Sequence, residues 1–402
     1  MLPSETQVLI VGAGPTGLTL AAQLQKAGVD HLLVDALEGA QNTSRAAVIH
    51  AHTLEMLKAV DIVEAMEAQG IEVSRFVARD RDEPLLELNF NQIPSTFRHL
   101  LMLPQSSTEA LIEARLVELG GTVHRRVAAL GATTEPDGAT VRVRTADGER
   151  EIRARFVVAA DGMHSVIREA AGIGFRGAAY GESFVLADVR MDWLFGADEV
   201  SLFFSPAGLV VIAPLPDGSY RVVATLDDPP EKPGIDDVQK LLDTRGPTGH
   251  VRVTDIGWAS RFRVHHRLAD TYRKGPFLLM GDAAHVHSPA GGQGMNTGLV
   301  DAIVLGEALT RVVRNGEGDT VLDDYARTRR PAAADVLALA SRLTRIATVR
   351  SVALRRLRNL LLRLLNRVPA FKRSAALGFS GLGRARYSLL PQRIDRARRL
   401  AQ

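Results

Sequence analysis

The sequence predicts an α/β fold in three parts: a parallel sheet covered by helices, an inserted and mainly antiparallel sheet, and a helical C-terminal region. The first part is indicated by an opening strand, turn, helix and second strand, which together begin a βαβ unit. The second part is indicated by alternating, β-branched and aromatic-rich runs between about residues 180 and 263. The third follows from helical patterning in most of the chain after Gly294.

The individual elements are placed by the same patterns and by the turns that separate them. Gly28 is expected to end the first helix, and two Asp-Gly turns are expected to separate short strands within residues 122–158. The predicted strands are 6–11, 31–34, 183–189, 199–204, 209–214, 220–226 and 277–280, and the predicted helices before residue 294 are 15–27, 52–68 and 107–119.

These elements divide the chain into three predicted domains, the first of which is discontinuous. The first domain takes residues 1–72, 100–179 and 268–330, and the inserted second domain takes residues 73–99 and 180–267. Residues 331–402 form a helical, basic C-terminal region.

The composition limits the chemistry that the chain can perform. Its 402 residues are 46% hydrophobic and 24% charged, which is typical of a globular protein. Because it has no cysteine, disulfides, zinc-thiolate sites, iron–sulfur clusters and thiol nucleophiles are excluded, so any redox chemistry needs a bound cofactor. The absence of cysteine suits a reducing compartment, and no run of eighteen apolar residues or secretory leader is present. We therefore expect a cytoplasmic location.

The excess of positive over negative charge is confined to the C-terminal region. Residues 341–402 carry sixteen Lys and Arg but a single acid, whereas the net charge of the whole chain is +3. A predicted helix in this region carries leucines on one side and arginines on another. Two interpretations of it compete: it packs on the acidic first domain, or it is an amphipathic basic helix that contacts anionic lipid. No nucleic-acid role is expected, because the positive charge lacks interleaved aromatic residues. The apolar side of the helix holds Leu354, Leu357, Leu361, Leu364, Leu365 and Val368, and another side holds Arg356, Arg363 and Arg367.

A glycine-rich turn directly follows the first strand and opens the first helix, with the sequence Gly12-Ala13-Gly14-Pro15-Thr16-Gly17. This is the dinucleotide-binding fingerprint: its glycines permit a tight turn, close approach of a pyrophosphate and helix–sheet packing. Asp35, at the end of the second strand, can accept hydrogen bonds from a ribose and would repel a 2′-phosphate. FAD or NAD therefore fits this site better than NADP does, and the fingerprint alone does not choose between FAD and NAD.

Two further segments combine a strand, a turn and a helix start. In the first, an apolar strand is followed by Asp161 and Gly162, and on its own it fits a purely structural turn equally well. The second runs from Gly281 and Asp282 through a loop rich in glycine into a long helix. Such a loop can form a nest of backbone N–H groups aimed at an anion or a polarised carbonyl.

Together, these three segments resemble the single-component FAD-dependent aromatic hydroxylases, the class of p-hydroxybenzoate and phenol hydroxylases. The third segment looks nearest to the phenol hydroxylase and polyketide-tailoring branch. The resemblance covers roughly residues 5–330 and implies a Rossmann-like FAD-binding domain with a substrate domain inserted into it. Many members of this branch carry a further thioredoxin-like domain, which we expect to be lacking here.

The resemblance also implies roles for individual positions. The fingerprint and Asp35 would hold the ADP half of FAD with Val127 near the adenine, Asp282 would bind the ribityl chain, and Asp161 would lie near both the pyrophosphate and the nicotinamide nucleotide. Arg45 and Gln105 match flavin-contacting positions, and the loop from Pro289 to Asn296 would hold the pyrimidine edge of the flavin. The implied cofactor-binding residues are Gly12, Gly14, Pro15, Thr16, Gly17, Asp35, Arg45, Gln105, Val127, Asp161, Gly281, Asp282, Pro289, Gly291, Gly292, Gly294, Met295 and Asn296.

The catalytic and substrate-binding positions are less sharply indicated. The Pro289 carbonyl and Arg45 are the catalytic candidates that the resemblance implies. His50, His52, His265, His266, His285 and His287 are candidate bases by the ordinary pKa of imidazole alone. Apolar side chains of the inserted sheet can line a pocket above the flavin or fill the core between layers. The candidate pocket residues are Phe203, Ile212, Pro214 and Trp258.

The reaction that the resemblance implies is hydroxylation of a phenolic or polyketide-like aromatic substrate with NADPH or NADH and O2, through a C4a-hydroperoxyflavin. An FAD-dependent oxidase and a drug-inactivating monooxygenase would use the same FAD contacts, and a non-catalytic FAD-binding protein is a further alternative. A flavin-dependent halogenase is not expected, because its Trp-x-Trp-x-Ile-Pro motif is missing. The sequence predicts no metal and does not determine the oligomeric state.

Overall fold

The computed structural model describes residues 2–39, 46–226, 230–289, 291–347, 349 and 351–391, except for the side chains of 179–182, 263 and 264. Its strands form two sheets of eight strands and one small sheet of three. In chain order they are β1 (Glu5–Val11), β2 (His31–Val34), β3 (Val48–Ile49), β4 (Ile71–Val73), β5 (Arg75–Asp80), β6 (Glu83–Asn89), β7 (Leu100–Met102), β8 (Val123–His124), β9 (Ala128–Glu135), β10 (Gly138–Thr145), β11 (Gly148–Ala159), β12 (Phe175–Met191), β13 (Glu199–Ser205), β14 (Gly208–Pro214), β15 (Tyr220–Leu226), β16 (Val253–Ala269), β17 (Arg273–Lys274), β18 (Phe277–Leu279) and β19 (His285–Val286).

Helices pack on the first sheet and make up most of the C-terminal part of the chain. Short 3₁₀ segments occur at Lys58–Val60, Gly281–Ala283 and Leu382–Ser388. The α-helices are α1 (Pro15–Ala27), α2 (Ala51–Leu57), α3 (Val63–Gln69), α4 (Gln105–Glu118), α5 (Val166–Ala170), α6 (Ile235–Arg245), α7 (Gln293–Val313), α8 (Thr320–Ala347), α9 (Val352–Asn366) and α10 (Pro369–Phe379).

The first sheet has the strand order β17-β18-β11-β1-β2-β8, and β9 and β10 extend it as a hairpin from β11. Its centre is parallel, since β1 pairs in parallel with both β11 and β2, and β11 pairs in parallel with β18. The central strands are buried on both faces, as expected for a parallel sheet covered by helices. Together with the second sheet, this arrangement confirms the predicted α/β fold class.

The second sheet has the strand order β19-β16-β12-β15-β14-β13-β5-β6. Neighbouring strands are antiparallel except β13 and β5, which are parallel, so the sheet is mainly antiparallel, as predicted. Helix α6 packs on one of its faces. The other face meets the small sheet of β3, β7 and β4, which joins the two large sheets.

Several elements differ from their predicted bounds. The helix expected over 52–68 is two helices, because Asp61 adopts a left-handed conformation (φ 55°) after the 3₁₀ turn that ends α2. The stretch 122–158, expected to hold only short strands, ends in the twelve-residue strand β11. Helix α8 runs without a break through the boundary predicted at residues 330 and 331. The domain boundaries themselves stay a prediction.

Helix α9 packs on β6 of the second sheet, whereas the first interpretation of the basic region placed it on the first domain. It lies on β6 of the second sheet through the buried side chains of Arg358 and Asn359, and the Asn359 amide donates to Asp80 Oδ2 at 2.6 Å. Leu362 also packs here, whereas the other side of the helix is exposed. In the described part of the chain, no helix has the length and apolar character needed to cross a membrane. The exposed side holds Val352, Leu354, Leu357, Leu360, Leu361, Leu364 and, just beyond the helix, Val368.

Candidate active site

The predicted cofactor segments lie at one edge of the first sheet. Gly12 directly follows β1, and Asp35 directly follows β2. One residue separates Asp161 from the end of β11, and one residue separates Gly281 from the end of β18. Because these four strands are parallel and adjacent, their carboxyl ends meet side by side. In an open α/β sheet this edge is where ligands bind. Segments separated by up to about 270 positions thus form one site.

In the fingerprint turn, Gly12 and Gly17 are in close contact with the backbone, whereas Gly14 leaves space for a ligand. A Cβ at Gly12, whose φ is +105°, would lie 2.3 Å from the Ala160 carbonyl oxygen, and a Cβ at Gly17 would lie 1.9 Å from that of Gly12. A Cβ at Gly14 would meet no atom within 4 Å. No side chain in the described residues caps α1, so its first-turn N–H groups are available to an anion.

Asp35 fixes the fingerprint turn against the neighbouring loop. Its Oδ2 accepts a hydrogen bond from the Ala13 backbone N–H at 2.6 Å, and its Oδ1 accepts one from that of Leu37 at 2.8 Å. Its carbonyl accepts from the backbone N–H of buried Val127 at 2.8 Å. Since each carboxylate oxygen can accept a further hydrogen bond, the predicted contact of Asp35 with a ribose is compatible with this geometry.

Asp161 carries an unsatisfied oxygen at the same edge. Its Oδ2 accepts from the Ile167 backbone N–H at 3.4 Å, while its buried Oδ1 has no partner among the described residues. Burial raises the pKa of this carboxyl group above its usual value. Buried polar atoms are rarely left unpaired. The unpaired oxygen next to the fingerprint therefore fits a hydroxyl or N–H donor of a bound dinucleotide.

The third segment packs directly on the fingerprint helix through small residues. Cβ atoms at Gly281 and Gly298 would lie 2.9 and 2.6 Å from the Thr16 hydroxyl oxygen, so α1 and α7 approach closely only because both positions are glycine. This packing places Asp282 at the strand edge, where it is exposed. It is thus positioned to reach a ligand that lies along α1.

A buried charged network holds the third segment in place. Asp301 accepts hydrogen bonds from Arg329 Nε at 2.7 Å, from His285 Nε2 at 2.8 Å and from the Gly281 backbone N–H at 3.2 Å. Burial alone would raise the pKa of Asp301, but Arg329 and His285 hold it below its usual value. His285 is fully buried. It therefore anchors the segment instead of serving as an exposed base.

The loop before α7 is held from behind by side chains. Gly291 and Gly292 have φ values of +83° and +61°, and the Gly292 N–H donates to the Pro289 carbonyl at 2.9 Å. His50 Nε2 lies 3.1 Å from the carbonyl oxygens of both glycines. The Asn296 amide donates to the Gly292 and Val48 carbonyls at 2.8 and 2.9 Å. The Asn296 side chain therefore shapes this loop, and its predicted contact with the cofactor would have to use its backbone.

The remaining predicted cofactor residues lie around this loop. Gly294 and Met295 are half-buried in the first turn of α7. Gln105 begins α4, and its backbone N–H donates to the Ala46 carbonyl at 3.0 Å. This hydrogen bond anchors Ala46 to the start of α4. Arg45, which precedes Ala46, lies outside the described residues.

The structure corrects the predicted substrate pocket. Phe203 and Ile212 are buried between the second sheet and α6, together with Val238 and Leu241 of that helix. Because side chains alternate along a strand, Pro214 belongs to the same face as Ile212. These three residues point away from the first sheet and cannot line a pocket above its edge. Trp258 packs on the opposite face.

The opposite face carries further apolar residues that sequence reasoning did not name. Phe184, Leu186 and Phe262 form an apolar cluster with Val223 and Trp258. Next to it, Arg221 forms a bidentate ion pair with Asp188 at 2.7 Å and donates to the Ala46 carbonyl at 2.8 Å, which ties this face to the segment that follows Arg45. The signal was present in the sequence, since 184 and 186 have the parity opposite to the core positions 185, 187 and 189 of the same strand.

The chain is similar to known flavoproteins along most of its length. A family profile described as FAD binding domain matches residues 5–340. A 6-methylpretetramide 4-monooxygenase of Streptomyces rimosus is 34% identical over 351 residues, which is 86% of this chain and 63% of that protein. The chain spans slightly less than two thirds of the first curated relatives that it matches, between 63% and 66% of their length.

Solved structures extend the similarity to the fold. An anhydrotetracycline hydroxylase from Streptomyces rimosus has a TM-score of 0.79 at 31% identity, covering 94% of this chain and 76% of its own. A p-nitrophenol 4-monooxygenase from Pseudomonas putida has a TM-score of 0.86 with coverage of 94% and 99%, and at 24% identity this likeness shows the fold alone. With the family profile spanning the fingerprint, Asp161 and Gly281 segments, this chain belongs to the family of FAD-dependent aromatic hydroxylases.

Proposed function

We propose that this protein is an FAD-dependent monooxygenase that uses NADPH or NADH and O2 to hydroxylate an aromatic substrate. The observation that carries the proposal is the convergence of four parallel strand ends on one edge, with the unpaired Oδ1 of Asp161 beside the fingerprint. Bound FAD supplies the redox chemistry with O2. The protein contributes binding, orientation and a site from which water is excluded.

The contacts at the strand edge support an extended FAD along α1. Gly14 leaves room for the pyrophosphate at the first turn of that helix, and Asp35 lies where a ribose would reach it. Asp282 is exposed on the path toward the loop before α7 and would bind the ribityl chain. The N-terminus of α7 favours negative charge on the reduced ring electrostatically.

The substrate would lie between that loop and the apolar face of the second sheet. The cluster of Phe184, Leu186, Val223, Trp258 and Phe262 provides flat apolar contacts for an aromatic ring. Two of the relatives described above are named for 6-methylpretetramide and anhydrotetracycline, which favours a substrate of that class. The Pro289 carbonyl stays the candidate hydrogen-bond acceptor for a substrate hydroxyl, and Arg45 stays a candidate from the adjoining segment.

The experiment that tests the proposal is a screen of phenolic and polyketide-like compounds for stimulated NADPH or NADH oxidation, with ¹⁸O-labelled O2. We expect one labelled oxygen atom in the product. Purified protein should carry an oxidised-flavin spectrum, and Asp282→Ala should weaken FAD retention while Asp147→Ala, in an exposed hairpin turn, leaves it unchanged. A colourless protein that binds no added FAD would contradict the proposal.

The same labelling separates the alternatives on this scaffold. An oxidase would consume O2 and release peroxide without incorporation of the label. A drug-inactivating monooxygenase would incorporate the label into an antibiotic and not into simple phenols. A cytoplasmic location stays a prediction that rests on the absence of cysteine from the sequence.

For the exposed side of α9 we propose contact with an anionic lipid surface. The side chains of Leu357, Leu361 and Leu364 are about half exposed on this side, and exposed Arg356 and Arg367 flank them. Apolar side chains bordered by arginine are typical of helices that lie in a membrane interface. Flotation with vesicles of anionic and neutral lipid tests this, and binding only to anionic vesicles is expected.

A triple variant, Leu357→Ser with Leu361→Ser and Leu364→Ser, should abolish flotation, while Leu389→Ser, at an exposed leucine outside α9, should not. Absence of flotation by the unsubstituted protein would contradict the proposal. A dimer that dissociates in the triple variant, with no flotation, would assign this surface to a second copy of the chain.

A further inference from the structure

A small cavity lined by both polar and apolar residues lies between α2, the first turns of α7, the middle of α8 and the 3₁₀ segment Leu382–Ser388. Among the residues expected to hold the cofactor, only Asn296 lines this cavity. No residue of the aromatic cluster on the second sheet lines it. It therefore forms a compartment separate from the substrate region. Its polar lining residues are His50, His52, Thr53, Gln293, Asn296, Thr297, Arg329, Arg384 and Ser388.

Two guanidinium groups face this cavity with little counter-charge. Arg329 is paired with Asp301, which lies outside the cavity lining. Arg384 donates to Gln293 Oε1 at 2.5 Å and to the Gly378 carbonyl at 3.2 Å, and within the described residues no carboxylate forms an ion pair with it. Burial and the charge of Arg329 lower the pKa of Arg384. Arg384 is half-buried, and only the charge of Asp335, which forms no ion pair with it among the described residues, opposes its own, so this arrangement favours a bound anion.

Two imidazoles add hydrogen-bonding groups to the same cavity. The Nε2 of buried His50 lies against two carbonyl oxygens and must carry a proton, whereas its buried Nδ1 has no partner in the described part of the chain. Burial and Arg384 lower the pKa of His50 to about 4. His52 Nε2 lies 2.8 Å from the Ser388 hydroxyl, and its Nδ1 lies 3.5 Å from Glu55. With its proton on Nε2, neutral His50 presents an acceptor at Nδ1, so an anion in the cavity would be held by the guanidinium groups and not by this imidazole.

We propose that this cavity binds a small inorganic anion of about the size of chloride, held by the guanidinium groups of Arg384 and Arg329. Hydrogen bonds from charged donors to an anion are stronger than those between neutral groups. Because Arg384 also donates to Gln293, the first residue of α7, the anion would fix the start of this helix directly behind the loop. The site does not depend on the proposed reaction, since no redox step involves it.

Crystals of the full chain with FAD, grown in sodium bromide, test the site directly. At the bromine absorption edge, an anomalous peak is expected in the cavity within hydrogen-bonding distance of Arg384. The peak should be absent in Arg384→Met and retained in Arg373→Met, which removes an exposed arginine of α10. If the cavity of the unsubstituted protein holds water and no bromide, the proposal is overturned.

Thermal unfolding gives a second measurement that needs no crystals. Bromide replaces gluconate at constant ionic strength, so only a specific site responds to the exchange. The unfolding midpoint of the unsubstituted protein should rise with the logarithm of bromide concentration, and that of Arg384→Met should stay constant. If Arg384→Met does not fold, Arg384→Lys replaces it, and a weaker bromide dependence is expected. Equal dependence in the unsubstituted protein and the Arg384 variant overturns the proposal.

Discussion

Removing the charge of Asp301 should destabilise the protein more than removing any surface acid. Asp301→Asn leaves the buried guanidinium of Arg329 without its carboxylate and places an amide N–H₂ among three donors. Breaking a buried ion pair by removing one partner costs about 3–5 kcal/mol. With an unfolding entropy of about 2.1 cal/mol/K per residue, this corresponds to a midpoint lower by about 4–6 °C for a chain of 402 residues that unfolds cooperatively.

The assay is thermal unfolding of apoprotein in one buffer, followed by circular dichroism. Asp323→Asn is the control, because this half-exposed carboxylate on α8 also pairs with an arginine, Arg273, at 3.0 Å. Asp323→Asn should lower the free energy of unfolding by less than about 1 kcal/mol. The double variant Asp301→Asn with Arg329→Met should be more stable than the sum of the single effects predicts, because neither charge is then left unpaired. Additive effects, or equal losses in Asp301→Asn and Asp323→Asn, would refute the reasoning.

The pH dependence of Asp301→Asn provides a second check with a defined sign. The pKa of Asp301 is lowered in the folded protein, so its stabilisation is complete above the unfolded value of about 3.9 and is lost as the pH falls through the folded value. The stability difference between Asp301→Asn and the unsubstituted protein should therefore be constant near pH 7 and shrink below about pH 4. A difference that is unchanged down to pH 3 would contradict this assignment.

Four further substitutions separate ligand binding from folding. Gly14→Ala should change the stability of apoprotein by less than about 1 kcal/mol yet weaken FAD binding at least tenfold in a fluorescence titration, whereas Gly17→Ala should fail to fold, and equal FAD affinity in Gly14→Ala would contradict the proposed pyrophosphate site. Phe203→Ala should cost about 3–5 kcal/mol by denaturant unfolding because its site is fully buried, and a stable Phe203→Ala protein would argue against the core assignment. Val223→Ala should raise KM for the aromatic substrate with a smaller loss of stability, and an unchanged KM would remove Val223 from the pocket.

The strand-edge site could be predicted because its signals are local in sequence. The turn at Gly12, the acid at Asp35 and the Gly281 segment each follow a strand and precede a helix or loop, and that order alone brings them to one sheet edge. The break near Asp61 could not be predicted, since it depends on one residue adopting a left-handed conformation.

The pocket prediction failed for a different reason. Phe203 and Ile212 were chosen for their apolar side chains, but strand alternation determines which face a residue occupies. Which of the two faces meets α6 depends on the packing of an element some thirty residues away, and the local pattern does not contain that information. For α9, the leucine pattern correctly indicated an amphipathic helix, while its contacts are made by Arg358, Asn359 and Leu362.

Because Thr16 packs between Gly281 and Gly298, the cofactor site is complete only after both of these glycines have been synthesised. The fingerprint emerges from the ribosome first, but β18, Asp282 and α7 are made about 260 residues later. At roughly 5–20 residues per second, this delay lasts about 13–50 seconds, during which the strand edge of the nascent chain is incomplete. Cofactor loading is therefore a late step in biogenesis, and a ribosome-bound chain that ends before residue 280 should not retain flavin.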